Sequence, residues 1–300
     1  MTAPFKPMLA SPADLDKLRY PVYGSPKLDG IRASIVNGRL LSRTLKEIPN
    51  RHIYNQLNFK KYEGLDGELI VGDPTSPTCY RDTVSGVMSD GGEPEYTYWV
   101  FDFWPSTSRF GERRMFLQNN AAMTCLFEDA PFIRLVEHTW LSSREDLDAY
   151  EAEQVGLGYE GIMLNDPIAL YKFGRATTKG GELLKVKRFI DSEALVIGMI
   201  EEQHNGNEAE TNELGRTKRS SAKAGKTGKG TMGALVVRDL KSNVEFEIGT
   251  GFTAQDRVDF WQARETHIER GDVVRFKHFP IGAKSRPRHP VFTGMRPKGA

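Results

Sequence analysis

The segment Ser25-Pro26-Lys27-Leu28-Asp29-Gly30-Ile31-Arg32 leads directly into a predicted β-hairpin. The run Ile31–Val36 is followed by Asn37-Gly38 and then by Arg39–Ser42. Asn-Gly between two β-rich runs strongly indicates a hairpin, because both residues readily adopt the positive φ angles of a type I′ turn. The sequence therefore predicts a strand–turn–strand unit with Lys27 just before its first strand.

Short β-rich runs and helical stretches surround this hairpin, so the first 190 residues have a mixed α and β pattern. Ser11-Pro12-Ala13-Asp14 predicts the start of a short helix, with serine as N-cap and proline at the first helical position. Ser142 and Glu145 fit a capping box and predict another helix start. The further strands predicted in this part are Gly67–Val71, Tyr96–Phe103, Phe132–Thr139, Gly161–Asn165 and Leu183–Lys187.

The pattern changes near residue 191 to short strands with one helix, predicted over about 253–264. Such strands with a single helix suit a small five-stranded barrel of the OB type. The polar stretch 204–231 predicts a mobile loop, because its composition cannot bury a core. The strands predicted here are Ala194–Ile200, Gly233–Val237, Val244–Ile248 and Asp272–Phe276. Two domains are therefore expected, 1–190 and 191–300.

Basic residues are unevenly distributed along a chain whose net charge is only +1. Residues 1–190 contain 23 Lys and Arg against 25 Asp and Glu, whereas residues 191–300 contain 18 against 15. Residues 215–230 carry six basic side chains and no acidic one, and the stretch after Asp272 carries seven and none. This distribution indicates a local contact with a polyanion.

Several protein classes are excluded by what the sequence lacks. No apolar run approaches the roughly 18 residues that a membrane helix needs, and residues 1–10 lack the pattern of a secretory signal. Cys79 and Cys125 are far apart and form no C-x-x-C pair, which argues against a disulfide framework and a structural zinc site. We therefore expect a cytoplasmic protein without a membrane partner.

Lys27 permits two interpretations when its segment is taken alone. A lysine between strands, with Asp29 and Arg32 following, is compatible with an ordinary turn. Alternatively, Lys27 is a nucleophile, which requires the neutral amine and hence desolvation or neighbouring cations. The segment itself does not decide between them.

Further motifs follow Lys27 in a fixed order: Ser42-Arg43-Thr44, Leu65–Ile70, Trp99–Phe103, Tyr159–Leu164 and Leu184–Lys187. This series resembles that of the covalent nucleotidyltransferases, which comprise ATP-dependent DNA ligases, RNA ligases and mRNA capping enzymes. Each motif alone is weak, but six in order over about 160 residues make chance the poorer explanation. Pro7-Met8-Leu9-Ala10 also looks like the start of a ligase adenylation domain.

The resemblance implies an α+β fold. It consists of an adenylation domain (nucleotidyltransferase, ATP-grasp-like) with mostly antiparallel sheets, followed by a small OB-fold β-barrel. The stretches Lys229–Val237 and Phe246–Thr253 look like the OB domain of DNA ligases. Residues 286–292 are similar to the closing motif of small phage-type ligases, in which a basic pair, here Arg286 and Arg288, approaches the pyrophosphate of ATP.

The same resemblance assigns the covalent chemistry to Lys27, which would attack the α-phosphate of ATP and form a lysyl–AMP phosphoramide. Residues of the same motif would line the nucleotide site with it, namely Ser25, Pro26 and Leu28. Lys185 and Lys187 point to one face of a strand and would neutralise phosphate charge. Taken alone, those two lysines would equally form a solvent face around a buried Val186.

Carboxylates and an aromatic residue complete the implied nucleotide site. Glu68 would bind the ribose, and Asp29, Glu68 and Glu160 would organise Mg²⁺, which prefers few protein ligands and several waters. Phe101 would stack on adenine. Without the resemblance, the carboxylates would be ordinary surface groups and Phe101 a core residue.

Arginines are the remaining implied phosphate ligands, since a guanidinium can bind phosphate bidentately. Arg32 and Arg43 would contact the nucleotide and the nick phosphate, and Arg175 would be a further nucleotide ligand. The basic stretch within 204–231 would grip duplex phosphates, unless it is a solvated linker. Its basic residues are Arg216, Lys218, Arg219, Lys223, Lys226 and Lys229.

The expected function is that of an ATP-dependent DNA ligase of the small two-domain type. It would use ATP and Mg²⁺, seal nicked double-stranded DNA, and act as a monomer without an obligate protein partner in a bacterial or phage-infected cell. An RNA ligase or a capping enzyme is the alternative within the superfamily, and a non-catalytic nucleic-acid-binding protein is the alternative outside it. Without a cysteine-rich zinc module, NAD⁺-dependent ligation is disfavoured.

Overall fold

Two units make up the chain, residues 1–187 and 188–300. The structure is a computed structural model that describes residues 4–187, 189–211, 217–269, 271–279 and 286–296. The boundary between the units lies close to the one expected at residue 190. Within the described ranges, no helix has the length and apolar character needed to cross a membrane.

The first unit contains two five-stranded sheets, in the orders β4-β3-β5-β6-β7 and β1-β10-β9-β2-β8. Their strands are β1 (Ser11–Pro12), β2 (Val22–Pro26), β3 (Ile31–Val36), β4 (Arg39–Ser42), β5 (Leu65–Val71), β6 (Tyr96–Phe103), β7 (Ile133–Leu135), β8 (Thr139–Leu141), β9 (Ile162–Asn165) and β10 (Leu184–Val186). Only the pairs β1–β10 and β6–β7 are parallel in these two sheets, so the mostly antiparallel arrangement is confirmed.

The predicted hairpin is confirmed as β3 and β4. Asn37 and Gly38 have φ angles of 55° and 72°, as the turn requires. Ala33, Ile35 and Leu40 are fully buried and anchor the hairpin in the core of the first sheet. Helices pack around the sheets, namely α1 (Arg51–Leu57), α2 (Cys79–Val87), α3 (Phe110–Asn119), α4 (Ala121–Glu128) and α5 (Arg144–Gly156).

The helix predicted from Ser11 is wrong, whereas the helix predicted after Ser142 is confirmed as α5, with its N-cap one residue later. Ser11 begins strand β1 because its backbone pairs with β10 and its buried hydroxyl donates to the carbonyl of Ala176 at 2.6 Å. The N-cap of α5 is Ser143 and not Ser142, since the Ser143 hydroxyl accepts from the Asp146 N–H at 3.1 Å.

The second unit is built on a five-stranded antiparallel sheet in the order β15-β14-β11-β16-β17. Its elements are β11 (Ile190–Asn205), β12 (Ala209–Thr211), β13 (Thr217–Arg219), β14 (Lys226–Asp239), β15 (Glu245–Ile248), α6 (Ala254–Gln262), α7 (Arg264–Glu269), β16 (Val273–Phe279) and β17 (Arg288–Met295). A bridge between Thr250 and Val291 brings the two edges of the sheet together. Its core is centred on Leu235, Ile248 and Phe276.

The loop predicted over 204–231 is wrong for most of its described residues. Strand β11 continues to Asn205 and pairs it with Lys226 at the start of β14, while β12 pairs with β13. This extension of paired strands, here called the basic ribbon (residues 204–211 and 217–231), needs no apolar core. Backbone pairing and the Asn207 amide, which donates to the carbonyls of Ser220 and Ala222 at 3.0 and 2.9 Å, hold it together.

A buried ion pair joins strand β6 to helix α3 in the first unit. Arg113 donates to Asp102 through Nε at 2.6 Å and through Nη2 at 2.9 Å, and both side chains are at most 3% exposed. Arg113 also donates to the carbonyls of Ser108 and Ala169. Because its polar hydrogens are satisfied on several sides, this pair fixes α3 and the 169–171 segment against the sheet.

Asp102→Asn should lower the free energy of unfolding by roughly 3–5 kcal/mol, because it leaves the Arg113 charge buried without its counterion. The matched control is Asp148→Asn on the surface of α5, where Asp148 accepts from the exposed Arg144 at 2.9 Å. An exposed pair of this kind is worth less than about 1 kcal/mol. Urea unfolding followed by circular dichroism would measure both, and equal effects would contradict a structural role for the buried pair.

Candidate active site

Strand pairing places Lys27 next to the segment that carries Glu160. Lys27 directly follows β2, which pairs with β9, and its N–H donates to the carbonyl of Gly161 at 2.9 Å. Gly161 has a φ of +148°, and a Cβ at this position would lie 2.3 Å from the carbonyl oxygen of Val186. Glycine is therefore required for β2, β9 and β10 to approach so closely.

The carboxylate of Glu160 contacts two lysines, Lys27 through one oxygen and Lys187 through the other. The three side chains are 18% (Lys27), 6% (Glu160) and 14% (Lys187) exposed. Burial alone would raise the pKa of Glu160, but the two ammonium groups outweigh it and lower that pKa. Glu160 is thus a carboxylate that holds the predicted nucleophile in place.

Further cations surround this trio. Burial, followed by repulsion from Lys27 and Arg175, lowers the pKa of Lys185, and Arg43 contributes in the same direction. Burial and then Lys27 lower the pKa of Lys187. Arg43 is exposed in the turn after β4, while the Arg175 guanidinium donates to the Ala10 carbonyl at 3.0 Å. Such an excess of positive charge suits a ligand with several negative charges.

The other sheet contributes a polar face from β3 and β5. Antiparallel register places Arg32 opposite Glu68 and Ser34 opposite Asp66, so these four side chains share one face. Arg32 donates to the fully buried Asp66 at 2.9 Å from Nε and 2.5 Å from Nη2. Burial favours a lower pKa for Arg32, but the charge of Asp66 raises it above its ordinary value.

Phe101 lies at an irregularity of β6. Asp66 and Gly67 pair with Asp102 and Val100, so Phe101 is the unpaired residue of a bulge. Its ring is partly exposed, and the Arg32 guanidinium carbon lies 4.8 Å from the ring centroid. Side chains alternate along β6, so Phe101 lies on the polar face with Trp99, opposite the core side that Tyr98 and Val100 occupy.

Glu68 has the most strongly shifted carboxyl group of the polar face. Desolvation raises the pKa of Glu68 to about 7, and the nearby Asp66 and Asp29 add to this, against the opposing effect of Lys27 and Arg32. A partly buried carboxyl with such a pKa is typical of a functional site.

The predicted metal-binding trio is not assembled. Among the described residues, no group of three or more His, Cys, Asp or Glu side chains is placed to hold a metal ion. Glu160 does not join Asp29 and Glu68 because Lys27 and Lys187 already contact its two oxygens. Asp29 and Glu68 do lie close enough to repel each other. Two carboxylates are within the usual number of protein ligands for Mg²⁺, which takes its other ligands from water and phosphate.

The other predicted site residues occupy varied positions. Ser25 is buried in β2, and Pro26 and Leu28, which flank Lys27 on either side, are partly buried. Arg286 and Arg288 belong to the second unit, the first exposed and the second at the start of β17.

In the basic ribbon, Lys218, Arg219 and Lys223 are exposed, and Lys226 is partly buried. Arg219 donates to the carbonyl of Asn207, and Lys229 pairs with Glu202 at 2.5 Å. Arg216 lies outside the described residues.

Sequence reasoning assigned no role to Ser34, Asp66 or Tyr171. The hydroxyls of Ser34 and Tyr171 donate to Asp66 at 2.8 and 2.6 Å, and Tyr171 lies 105 residues further along the chain. A signal for Asp66 was present, because an aspartate within the apolar strand Leu65–Val71 needs buried donors. Tyr171 begins Tyr171–Arg175, a segment similar to a further ligase motif, but that similarity assigned a role only to Arg175.

Family models match both units. Residues 7–187 match the ATP dependent DNA ligase domain, and residues 224–296 match the DNA ligase OB-like domain. The second match agrees with the OB-type barrel expected from the sequence. A probable DNA ligase from Streptomyces griseus is 31% identical over a match that covers 61% of this chain and 40% of that protein. The chain thus spans less than half the length of this relative.

Solved DNA ligase structures are similar to this chain over almost its whole length. The Chlorella virus DNA ligase-adenylate is 30% identical, with 98% of this chain and 100% of the viral chain covered and a TM-score of 0.55. A structure from a study of DNA binding with a minimal scaffold by Lig E DNA ligases is 25% identical, with 97% and 99% covered and a TM-score of 0.71.

Glu68→Gln should raise the free energy of unfolding by roughly 3 kcal/mol near pH 8, since one pKa unit is worth about 1.4 kcal/mol. The pKa of Glu68 lies at about 7 in the folded protein, against 4.5 for an ordinary glutamate, so folding disfavours the ionised form. The gain should be full above pH 7, shrink as the pH falls, and vanish below about 4.5.

Thermal unfolding of the unchanged protein and of Glu68→Gln, at several pH values from 4.5 to 8, would measure this gain in the free energy of unfolding. Glu47→Gln is the control with opposite sign, because hydrogen bonds from Tyr54 and then Arg39 lower the pKa of Glu47. A stabilisation by Glu68→Gln that does not depend on pH would contradict the assignment.

Proposed function

The chain belongs to the ATP-dependent DNA ligase family, and from that membership we propose that it seals nicks in duplex DNA through an AMP adduct on Lys27. The observation that carries this proposal is the contact of Lys27 with Glu160 inside a ring of cations. This contact positions Lys27 among cations that would bind the phosphates of ATP, and Lys27 would attack as the neutral amine. RNA ligation has no comparable support, since the second unit matches a DNA ligase domain.

In the first proposed step, Lys27 Nζ attacks the α-phosphorus of ATP. A nitrogen–phosphorus bond forms, the bond between the α-phosphorus and the bridging oxygen breaks, pyrophosphate leaves, and the proton lost by the amine passes to water. The ligands at the phosphates would be Lys185, Lys187, Arg43 and Arg175, whose charges neutralise those of the phosphate oxygens. Positioning and charge neutralisation supply most of the catalysis in phosphoryl transfer.

In the second step, a 5′-phosphate oxygen at the nick attacks the AMP phosphorus and the bond to Lys27 breaks. In the third step, the 3′-hydroxyl attacks the activated 5′-phosphate, a phosphodiester forms and AMP leaves. Arg32 would bind the nucleotide, and Arg43 would also reach the 5′-phosphate. Glu68 would accept from the ribose, and Phe101 would stack on adenine.

We propose Mg²⁺ as the divalent metal that accompanies ATP. Asp29 and Glu68 would hold it together with phosphate oxygens and water, which is the binding mode that Mg²⁺ prefers. When bound, the ion neutralises charge on the phosphates. The proposed state is a cytoplasmic monomer.

Phosphate contacts from the basic ribbon would hold the duplex. The exposed Lys218, Arg219 and Lys223 support this assignment, since they lie on a narrow extension of the second unit. Contacts with phosphates fix position without reading sequence, which suits a protein that seals nicks anywhere. Arg286 and Arg288 are proposed to contact the pyrophosphate.

Lys27→Ala should abolish formation of an acid-labile AMP adduct with α-labelled ATP and Mg²⁺, because no other amine is proposed to attack. Lys17→Ala is the matched control, since Lys17 is an exposed lysine that pairs with Asp14 at 2.9 Å. The control should form the adduct at the rate of the unchanged protein. An adduct that persists in Lys27→Ala would refute the assignment.

Replacing Lys218, Arg219, Lys223 and Lys226 by serine should weaken binding to a nicked duplex and flatten its salt dependence. Each lost phosphate contact should reduce the slope of log K against log salt by about 0.9. Titrations at several salt concentrations would give the slope. Self-adenylylation should be unchanged, because these side chains have no proposed role in that step.

The control removes four positive charges elsewhere in the second unit, from Arg238, Lys241, Arg264 and Arg275. If DNA binding depends only on net charge, both variants will flatten the slope equally. That outcome would exclude the basic ribbon as a specific DNA contact.

A further inference from the structure

We propose that Tyr171 is a positioning residue for nucleotide binding, acting through Asp66 on the guanidinium of Arg32. This inference rests on the proposed function, in which Arg32 binds the nucleotide. The Tyr171 hydroxyl donates to Asp66 Oδ2 at 2.6 Å, and Arg32 Nη2 donates to the same oxygen at 2.5 Å. One carboxylate oxygen thus joins the two side chains.

Asp66 has little freedom to adopt another orientation. Its second oxygen, Oδ1, accepts from Arg32 Nε at 2.9 Å and from the Ser34 hydroxyl at 2.8 Å. The carboxylate is fully buried, so the loss of a donor leaves one of its oxygens with an unsatisfied hydrogen-bonding position. Tyr171 and Ser34 are the two neutral donors. Together they fix the plane of the Asp66 carboxylate, and the guanidinium of Arg32 binds in that plane.

Tyr171 itself is held from two directions. Its hydroxyl accepts from the Met8 N–H at 3.1 Å, and its ring lies 5.8 Å from the guanidinium of the buried Arg113. Burial, with a further contribution from the charge of Asp66, raises the pKa of the Tyr171 hydroxyl well above its ordinary value, so this group remains a donor. The tyrosine therefore joins the segment around Met8 to the polar face of the sheet.

Arg32 in turn contacts the ring of Phe101. The guanidinium carbon lies 4.8 Å from the Phe101 ring centroid, so it supports the ring that is proposed to stack on adenine. If Asp66 rotates, both the direction of Arg32 and the support of Phe101 change. Tyr171 need not touch the nucleotide for its hydroxyl to affect nucleotide affinity.

The experiment compares Tyr171→Phe with the unchanged protein in calorimetric titrations with α,β-methylene-ATP, which binds without transferring AMP. Removal of a hydrogen bond to a buried carboxylate should weaken affinity about tenfold. Tyr54→Phe is the matched control, because the Tyr54 hydroxyl also donates to a carboxylate at 2.6 Å, that of the exposed Glu47. This control should change affinity less than about twofold.

A double-mutant cycle separates positioning from a merely structural role. In an Arg32→Ala background, Tyr171→Phe should have no further effect on affinity, because its route to the nucleotide is gone. Ser34→Ala removes the donor to the other oxygen of Asp66 and tests the same route independently. It should weaken binding in the unchanged background but not beside Arg32→Ala.

The possible outcomes are distinct. Unchanged affinity in Tyr171→Phe, or an equal loss in the presence and absence of Arg32, would overturn the positioning role. An unchanged protein that binds the analogue but forms no AMP adduct with α-labelled ATP would overturn the proposed function while leaving the cycle readable. The expected result is an adduct in the unchanged protein and a loss of affinity that requires Arg32.

Discussion

The placement of one carboxylate between two lysine ammonium groups determines the arrangement of this site. Glu160 is only 6% exposed, and a buried carboxylate without counterions would be costly. Lys27 and Lys187 provide that compensation only if β2, β9 and β10 lie side by side, which in turn requires a glycine at 161. The backbone of the second sheet of the first unit is therefore constrained by the charges that it must bring together.

The two sheets of the first unit contribute different chemistry to the site. The sheet with β2, β9 and β10 supplies the lysines that are proposed to balance phosphate charge, whereas the sheet with β3 and β5 supplies the Arg32–Asp66 pair and Glu68. Each set is stabilised by its own ion pair before any ligand binds. A nucleotide that contacts both sets would exchange part of these internal contacts for its own, so the site is preorganised before the ligand binds.

The sequence predicted most of the strands because strand and turn patterns are local, and its candidate site residues came from motifs that are also local. Asn37-Gly38 predicts a hairpin turn from two adjacent residues, and each candidate lysine, glutamate or arginine lies within a short motif. Ser11 and the basic ribbon were predicted wrongly, because strand pairing with distant partners overrides local helix or loop preferences. The contacts of Glu160 with Lys27 and Lys187 were not predicted for a related reason, since the sequence does not show which charges meet in the folded chain.

Tyr171 illustrates why the supporting groups are harder to predict than the reacting ones. A group that binds phosphate must carry a positive charge, so only a few residue types can take that role. A group that orients Asp66 needs only a donor in the right place, and any hydroxyl, amide or N–H in the chain qualifies. Tertiary structure makes that choice: segment 169–171 is fixed by Arg113, and Tyr171 then reaches a carboxylate 105 residues earlier in the chain. The precision of the site thus depends on residues whose supporting role the motifs did not reveal.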